Sequence, residues 1–256
     1  MRYDPALLRR ADGAYPHAYF VDLGFGATPV TTLESAARLR CINPTLPILG
    51  VEIDPARVAA AQSAAGPGLE FRLGGFNLPL ATTSAGQPEW ARVVRAFNVL
   101  RQYDAAAVVP AYGQMAAHVL PNGLLIEGTS DPQGRLWSAH LLRRTTADPG
   151  ELAAWRHEGL VFSTNLRTPF DPAAFQAILP KDLIHRNAPG EAIHAFLAAW
   201  KQAAAVVAPM RAWGQRAWFT AAAQQLGRGG YRLNLRPSWL RKGYLIWRDA
   251  PTIWLG

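Results

Sequence analysis

One cysteine, Cys41, in 256 residues leaves no partner for a disulfide within the chain, no zinc–thiolate cluster and no CxxC redox pair. Long apolar runs are missing too, since none reaches the roughly 18 residues of a membrane-spanning helix. The opening residues, MRYDPALLRRADG, lack the basic-then-apolar order of a secretion signal. These shortages point to a reducing, cytoplasmic setting. The six histidines, at 17, 118, 140, 157, 185 and 194, form no HxH or HxxxH pair, so no metal site is expected. Acid is scarce in one half only. Residues 1–135 carry 11 basic and 11 acidic side chains, whereas 136–256 carry 15 basic and 7 acidic, so the whole excess of +8 sits in the second half. Tryptophan is scarce in the other half, with Trp90 alone before position 136.

What is present is a chain rich enough in apolar residues, at 50%, to bury a large core. Short apolar runs alternate with amphipathic stretches. Strands are expected at 19–24, 48–53, 69–73, 92–100 and 124–129, the last entered through Pro121-Asn122-Gly123. Helices are expected at 31–41, at 56–65 behind an Asp54 N-cap with Pro55 at the first helical position, and at 104–120. Strand–helix alternation with near-continuous apolar strands predicts a doubly wound, mostly parallel sheet covered on both faces. In such a sheet the ligand crevice lies beyond the carboxyl ends of the strands.

Two strand ends stand out. After the first comes Asp22-Leu23-Gly24-Phe25-Gly26-Ala27-Thr28-Pro29, where glycines permit a tight bend and close approach of a ligand to the main chain. At the end of the second sits Glu52, whose carboxylate can accept two hydrogen bonds from a ribose diol. It could equally cap the next helix. Pro29 has no N–H to offer a pyrophosphate, which argues against a dinucleotide.

VDLGFGATP followed by LGVEIDPARV resembles the first two motifs of class I S-adenosylmethionine-dependent methyltransferases. With FRLGGFNLP, VRAFNVLRQY and LIEGTSD, residues 15–135 are similar to a bacterial subgroup of that family with no assigned acceptor. The resemblance implies a Rossmann-like methyltransferase fold of seven strands and S-adenosylmethionine as cofactor. Asp22, Gly24, Phe25 and Gly26 would meet its methionine part, Glu52 its ribose, and Ile53 its adenine. Gly75, Phe76 and Asn77 would border the adenine, and Asn98 the methionine and methyl group. The sequence departs from the family at Thr28, where a third glycine is usual, and at Gly75, where an acid is common.

No catalytic triad is visible, and in-line methyl transfer does not need one. The Asn/Asp-Pro-Pro-aromatic run of amino-group methylation is absent at 98–103, and Cys41 falls in a helix where it reads as a small buried residue, not a nucleophile. Asn98 and Glu127 are the weak catalytic candidates, with Asp131 beside them; Glu127 could instead bridge to Arg95 or Arg101. Arg101 and Tyr103 read first as surface residues.

In the second half, 136–144 and 159–167 read as an antiparallel pair of strands, and 172–179 and 191–207 as helices. Residues 208–256 carry eight basic side chains and one acid, among Trp213, Trp218, Phe219, Tyr231, Trp239, Tyr244, Trp247 and Trp254. Such a mixture suits RNA, but the aromatics also fit the core of an appendage with arginines as its solvated face, which is the preferred reading. The chain is thus expected to have a cofactor-binding core at 1–170 and a helical, basic, aromatic extension at 171–256 packed on it. The expected activity is methyl transfer to a small molecule. RNA-directed transfer and a non-catalytic cofactor-binding protein are the alternatives, and neither membrane nor metal enters.

Overall fold

The structure is a computed structural model that describes residues 3–82, 86–149, 151 and 154–252. Its strands are β1 Tyr19–Leu23, β2 Ile48–Glu52, β3 Leu69–Leu73, β4 Ala91–Phe97, β5 Val119–Ser130, β6 Leu136–Arg144, β7 Trp155–Thr164 and β8 Tyr244–Trp247. Its helices are α1 Pro5–Arg9, α2 Val30–Arg40, α3 Pro55–Ala61, α4 Val108–Ala116, α5 Lys181–Ile184, α6 Ala192–Val206, α7 Gln215–Arg228 and α8 Pro237–Leu240. The sheet order is β3-β2-β1-β4-β5-β6-β7-β8. It has eight strands where seven are expected; β8, only four residues long, lies in the stretch read from sequence as a basic aromatic segment.

Two compact units share the chain. One gathers residues 1–99, 106–126 and 142–156, the other 100–105, 127–141 and 157–256. In the first, β1 pairs in parallel with β2 on one side and β4 on the other, and β2 pairs in parallel with β3. β1 and β2 are buried at every position, as strands covered on both faces must be. Because the chain reverses its winding direction between β1 and β4, their carboxyl ends form the switch point of the sheet. α3 starts as its sequence dictates: Asp54 accepts from the backbone N–H of Ala56 and Arg57, and Pro55 occupies the first turn.

Several boundaries differ from expectation. β4 ends at Phe97, since Asn98 takes a left-handed φ of 61°. The expected helix at 104–120 is a 3-10 turn followed by the shorter α4, with Pro110 accommodated in its first turn. β5 begins before Pro121 and runs through Asn122, whose φ of 68° lets the strand bend without stopping. Cys41 is exposed at the C-cap of α2 and not buried, because the inward face of that helix is narrow: only Thr32, Ala36 and Leu39 are buried.

The second unit has an aromatic core. Phe162, Phe170, Phe175, Phe196, Trp200, Trp218, Phe219 and Trp247 pack together, with Phe196 stacked on Trp247 at 4.2 Å and Phe175 on Trp200 at 5.2 Å. β7 pairs antiparallel with β8, placing Phe162 opposite Leu245. Of the aromatics read as stacking candidates, Trp218, Phe219 and Trp247 are buried, and Tyr231, Trp239 and Tyr244 are half-buried. Trp213 is 80% exposed. Trp254 lies outside the described residues. Among the described residues no helix is long and apolar enough to cross a membrane.

Candidate cofactor site

The loops that follow β1, β2 and β3, and residues Asn98 and Val99 after β4, belong to the first unit. Asp22 lies level with Arg95 of β4 in the strand register and is fully buried. Its carboxylate accepts from Arg95 Nη1 at 2.6 Å and from the hydroxyls of Thr31 and Thr32, each at 2.8 Å. One oxygen thus holds β4 and the other the first turn of α2. The carboxylate fixes the bend between β1 and α2 from beneath, and its two oxygens are both engaged within the protein.

The bend itself is two-sided. Gly24 and Gly26 have φ of 71° and 84°, which side-chain-bearing residues rarely adopt. A Cβ on Gly24 would lie 2.5 Å from Val99 Cγ2, so that side is filled by the loop after β4. A Cβ on Gly26 would meet nothing within 4 Å. Between them Phe25 turns inward, 5% exposed, with its ring edge-on to Phe71 at 5.4 Å. Of the four residues expected to meet the methionine, Gly26 borders open space, Gly24 and Phe25 pack inward, and Asp22 is buried beneath them.

Glu52 reaches the bend at Gly26. Its Oε2 accepts from Gly26 N–H at 3.0 Å, and Oε1 accepts from Ile53 N–H at 3.0 Å and Asp54 N–H at 3.3 Å. Arg57 Nη1 lies 3.8 Å from Oε1. The residue is 5% exposed, yet a carboxylate has about four lone-pair positions and three are engaged by N–H donors. Ile53, by contrast, is 66% exposed, and Leu73, opposite Glu52 in register at the end of β3, is 53% exposed. Two aliphatic side chains are thus bared at neighbouring strand ends.

Gly75, Phe76 and Asn77 form the turn after β3, in which the Asn77 side chain accepts from Gly75 N–H at 3.3 Å and a Cβ on Gly75 would meet only that amide oxygen, at 3.9 Å. Asn98 follows β4 in its left-handed conformation, half-buried, next to the Val99 that fills the space above Gly24.

Glu127 and Asp131 belong to the second unit. Asp131 accepts from Arg135 N–H in the β5–β6 turn. Arg95 is committed to Asp22, and Arg101 donates to the Ala177 carbonyl at 2.8 Å, so the bridge weighed for Glu127 is not made by either of them. Sequence reading missed what does stand near Glu127. His140 of β6 has Nδ1 3.0 Å from His157 Nε2 of β7 and Nε2 3.0 Å from Asp182 Oδ1 of α5. Side chains of His140 and Asp182 are wholly buried, and among the described residues Asp182 Oδ2 has no partner. Burial disfavours the charged form of His140, but the charge and hydrogen bond of Asp182, reinforced by Glu127, outweigh it and hold its pKa above the ordinary imidazole value. Burial, then the charge of His140, pushes His157 down to about 3. Seventeen residues separate the two histidines, a spacing with no meaning until β6 and β7 lie side by side. Among the described residues no group of three His, Cys, Asp or Glu could hold a metal ion.

No protein-family model matches the chain, and no curated protein matches it. Solved structures do resemble it. LepI in complex with SAM is similar over 51% of this chain and 31% of its own, at 18% identity and a TM-score of 0.37. Magnesium protoporphyrin IX methyltransferase of Synechocystis PCC 6803, with bound SAM, is similar over 50% of this chain and 56% of its own, at 19% identity and a TM-score of 0.34. A methyltransferase of Haloferax volcanii, solved in complex with the activator Trm112, is similar over 48% of this chain and 50% of its own, at 22% identity and a TM-score of 0.32. The chain thus spans about a third of the length of the first of these and about half of the other two.

Proposed function

We propose that the chain is an S-adenosylmethionine-dependent methyltransferase whose cofactor seat lies at the carboxyl ends of β1, β2 and β3, and whose acceptor is a small molecule. The observation that carries this reading is the nearly buried Glu52 carboxylate accepting from the Gly26 N–H, next to the open space at Gly26 and the exposed Ile53. The residues fit the group. Glu52 would hold the ribose hydroxyls with its remaining acceptor capacity. Ile53 and Leu73 would cover the adenine, with Gly75, Phe76 and Asn77 along its edge. The methionine end would pass Gly26 toward Asn98. Asp22, Gly24 and Phe25 act behind this surface by holding the bend in shape. When bound, the cofactor supplies a methyl group on a sulfonium, already electrophilic; the protein contributes position and the exclusion of water.

Titration calorimetry with S-adenosylhomocysteine tests this directly. Saturable binding is expected, with a loss of at least about tenfold in Glu52→Gln, whose neutral amide offers one acceptor oxygen in place of two. Thermal melting of the variant shows whether the fold is kept. Absence of heat with millimolar ligand on the folded protein rejects the reading.

A further inference from the structure

From Ala192 to Arg248 the chain runs 57 residues without an aspartate or glutamate, and it carries nine lysines and arginines there. The structure exposes all nine: Lys201, Arg211, Arg216, Arg228, Arg232, Arg236, Arg241, Lys242 and Arg248. With Arg248 set aside, none of the other eight is paired with an acidic side chain among the described residues. Arg211 lies over the Trp218 ring at 4.0 Å and Arg228 touches the Gln225 side chain. Isolated arginines on a surface need no explanation, but eight uncompensated cations on one folded segment repel one another and raise the potential together.

The fold gathers them. Arg248 N–H donates to the Arg232 carbonyl and Asn234 N–H to the Ile246 carbonyl, so 232–234 runs alongside 246–248. Arg236 precedes α8, and Arg241 and Lys242 follow it. A Cβ on Gly227 would lie 3.0 Å from Leu235, so this loop rests against the carboxyl end of α7, where Arg228 stands. At the other end of α7, about 20 Å away for 14 residues, are Arg216, Arg211 and Trp213. Trp213 is 80% exposed, while the other tryptophans of the segment that are described are buried or half-buried. This bare indole lies between Arg211 and Arg216 in the chain and offers an exposed stacking face.

We infer that this surface binds single-stranded nucleic acid, with backbone phosphates on the arginines along α7 and the 228–242 loop and a base stacked on Trp213. Arginine matches phosphate bidentately, and an exposed aromatic ring receives any base, so such a site is tolerant of sequence. Its span suits the roughly 4–16 nucleotides that comparable single-strand sites occupy. The inference goes beyond the proposed methyl transfer and uses no residue of the cofactor seat.

The test is fluorescence anisotropy of labelled 20-nucleotide oligo(U) and oligo(dT) with the full chain and no cofactor, from 50 to 300 mM salt. Saturable binding that weakens steeply with salt is expected. The triple change Arg232→Glu, Arg236→Glu, Arg241→Glu should lower the log–log salt slope by about 2, at roughly 0.7 per phosphate contact. Trp213→Ala, at an exposed position that leaves the core intact, should weaken binding roughly 5- to 100-fold, the range for loss of one stacked base. Arg38→Glu in α2 is the control and should leave the affinity unchanged. A preference between the two oligomers shows whether RNA or DNA is taken, and either supports the inference. No binding at 50 mM salt overturns it. So does binding indifferent to both sets of changes, or Trp213-dependent binding to phosphatidylglycerol vesicles without binding to the oligomers. Because cofactor is absent throughout, failure here leaves the calorimetric test of the cofactor seat untouched, and the reverse also holds.

Discussion

The arginines of the two units do different things. In the first unit most are tied down: Arg10 to Asp12, Arg38 to Glu34, Arg57 to Asp54, Arg72 to Glu70, Arg95 to Asp22 and Arg143 to Asp4. Arg92 is fully buried with no acid at all, its guanidinium donating to the carbonyls of Leu7, Leu8, Arg10 and Ala18. In the acid-free stretch of the second unit the guanidinium groups stand in solvent. The contrast teaches that composition alone misleads. The same residue is structural where carbonyls or carboxylates surround it, and available to a partner where they do not.

Substitution along this series should separate the two kinds of arginine. Arg92→Ala is expected to cost most, about 4 kcal/mol in denaturant unfolding, since it opens a cavity and removes a donor from four carbonyls, of which Leu8 keeps the Asn43 amide. Arg95→Ala should cost about 2–3 kcal/mol, because the buried Asp22 would keep only its two threonine hydroxyls. If Arg92→Ala and Arg95→Ala are no worse than surface changes, the division between the units fails. Next in size is a pH effect confined to the second unit. His157, lowered to about 3, contributes stability that is complete above its unfolded value near 6.5 and is lost as pH falls below it. His140, raised, contributes stability complete below about 6.5 and lost as pH rises through its higher folded value. The pair alone therefore gives a stability maximum near pH 6.5. Thermal melts from pH 5 to 8 on the wild type and on His157→Phe should show the acid limb in the first and lose it in the second. Smallest of all, Arg232→Ala and Arg236→Ala should each stay within about 0.5 kcal/mol, as exposed residues without a structural partner do.

Much of the first unit was legible in the sequence because its signals are local. Buried strands read as apolar runs, Asp54-Pro55 announces a helix start, and a glycine bend after a strand is a short-range feature. So is the neighbourhood of Glu52, whose partners Ile53 and Asp54 adjoin it. What escaped depends on pairing at a distance. Nothing in Tyr244–Trp247 marks a strand until β7 offers it an edge, and nothing joins His140 to Asp182, 42 residues on, before the helix folds over the sheet. Glycine identity likewise does not tell that Gly24 faces Val99 while Gly26 faces space. Gly24→Ala should therefore damage the fold by both its φ and its clash with Val99, and Gly26→Ala should cost about 1–2 kcal/mol from its φ alone while also lowering ligand affinity.

The hydrogen bond from Gly26 to Glu52 has one more consequence. A pocket whose rim must be assembled around its guest loses affinity to the entropy of that assembly. Here the protein's own hydrogen bond clasps the bend to the neighbouring strand, so an incoming nucleoside would need to supply only its own hydroxyls.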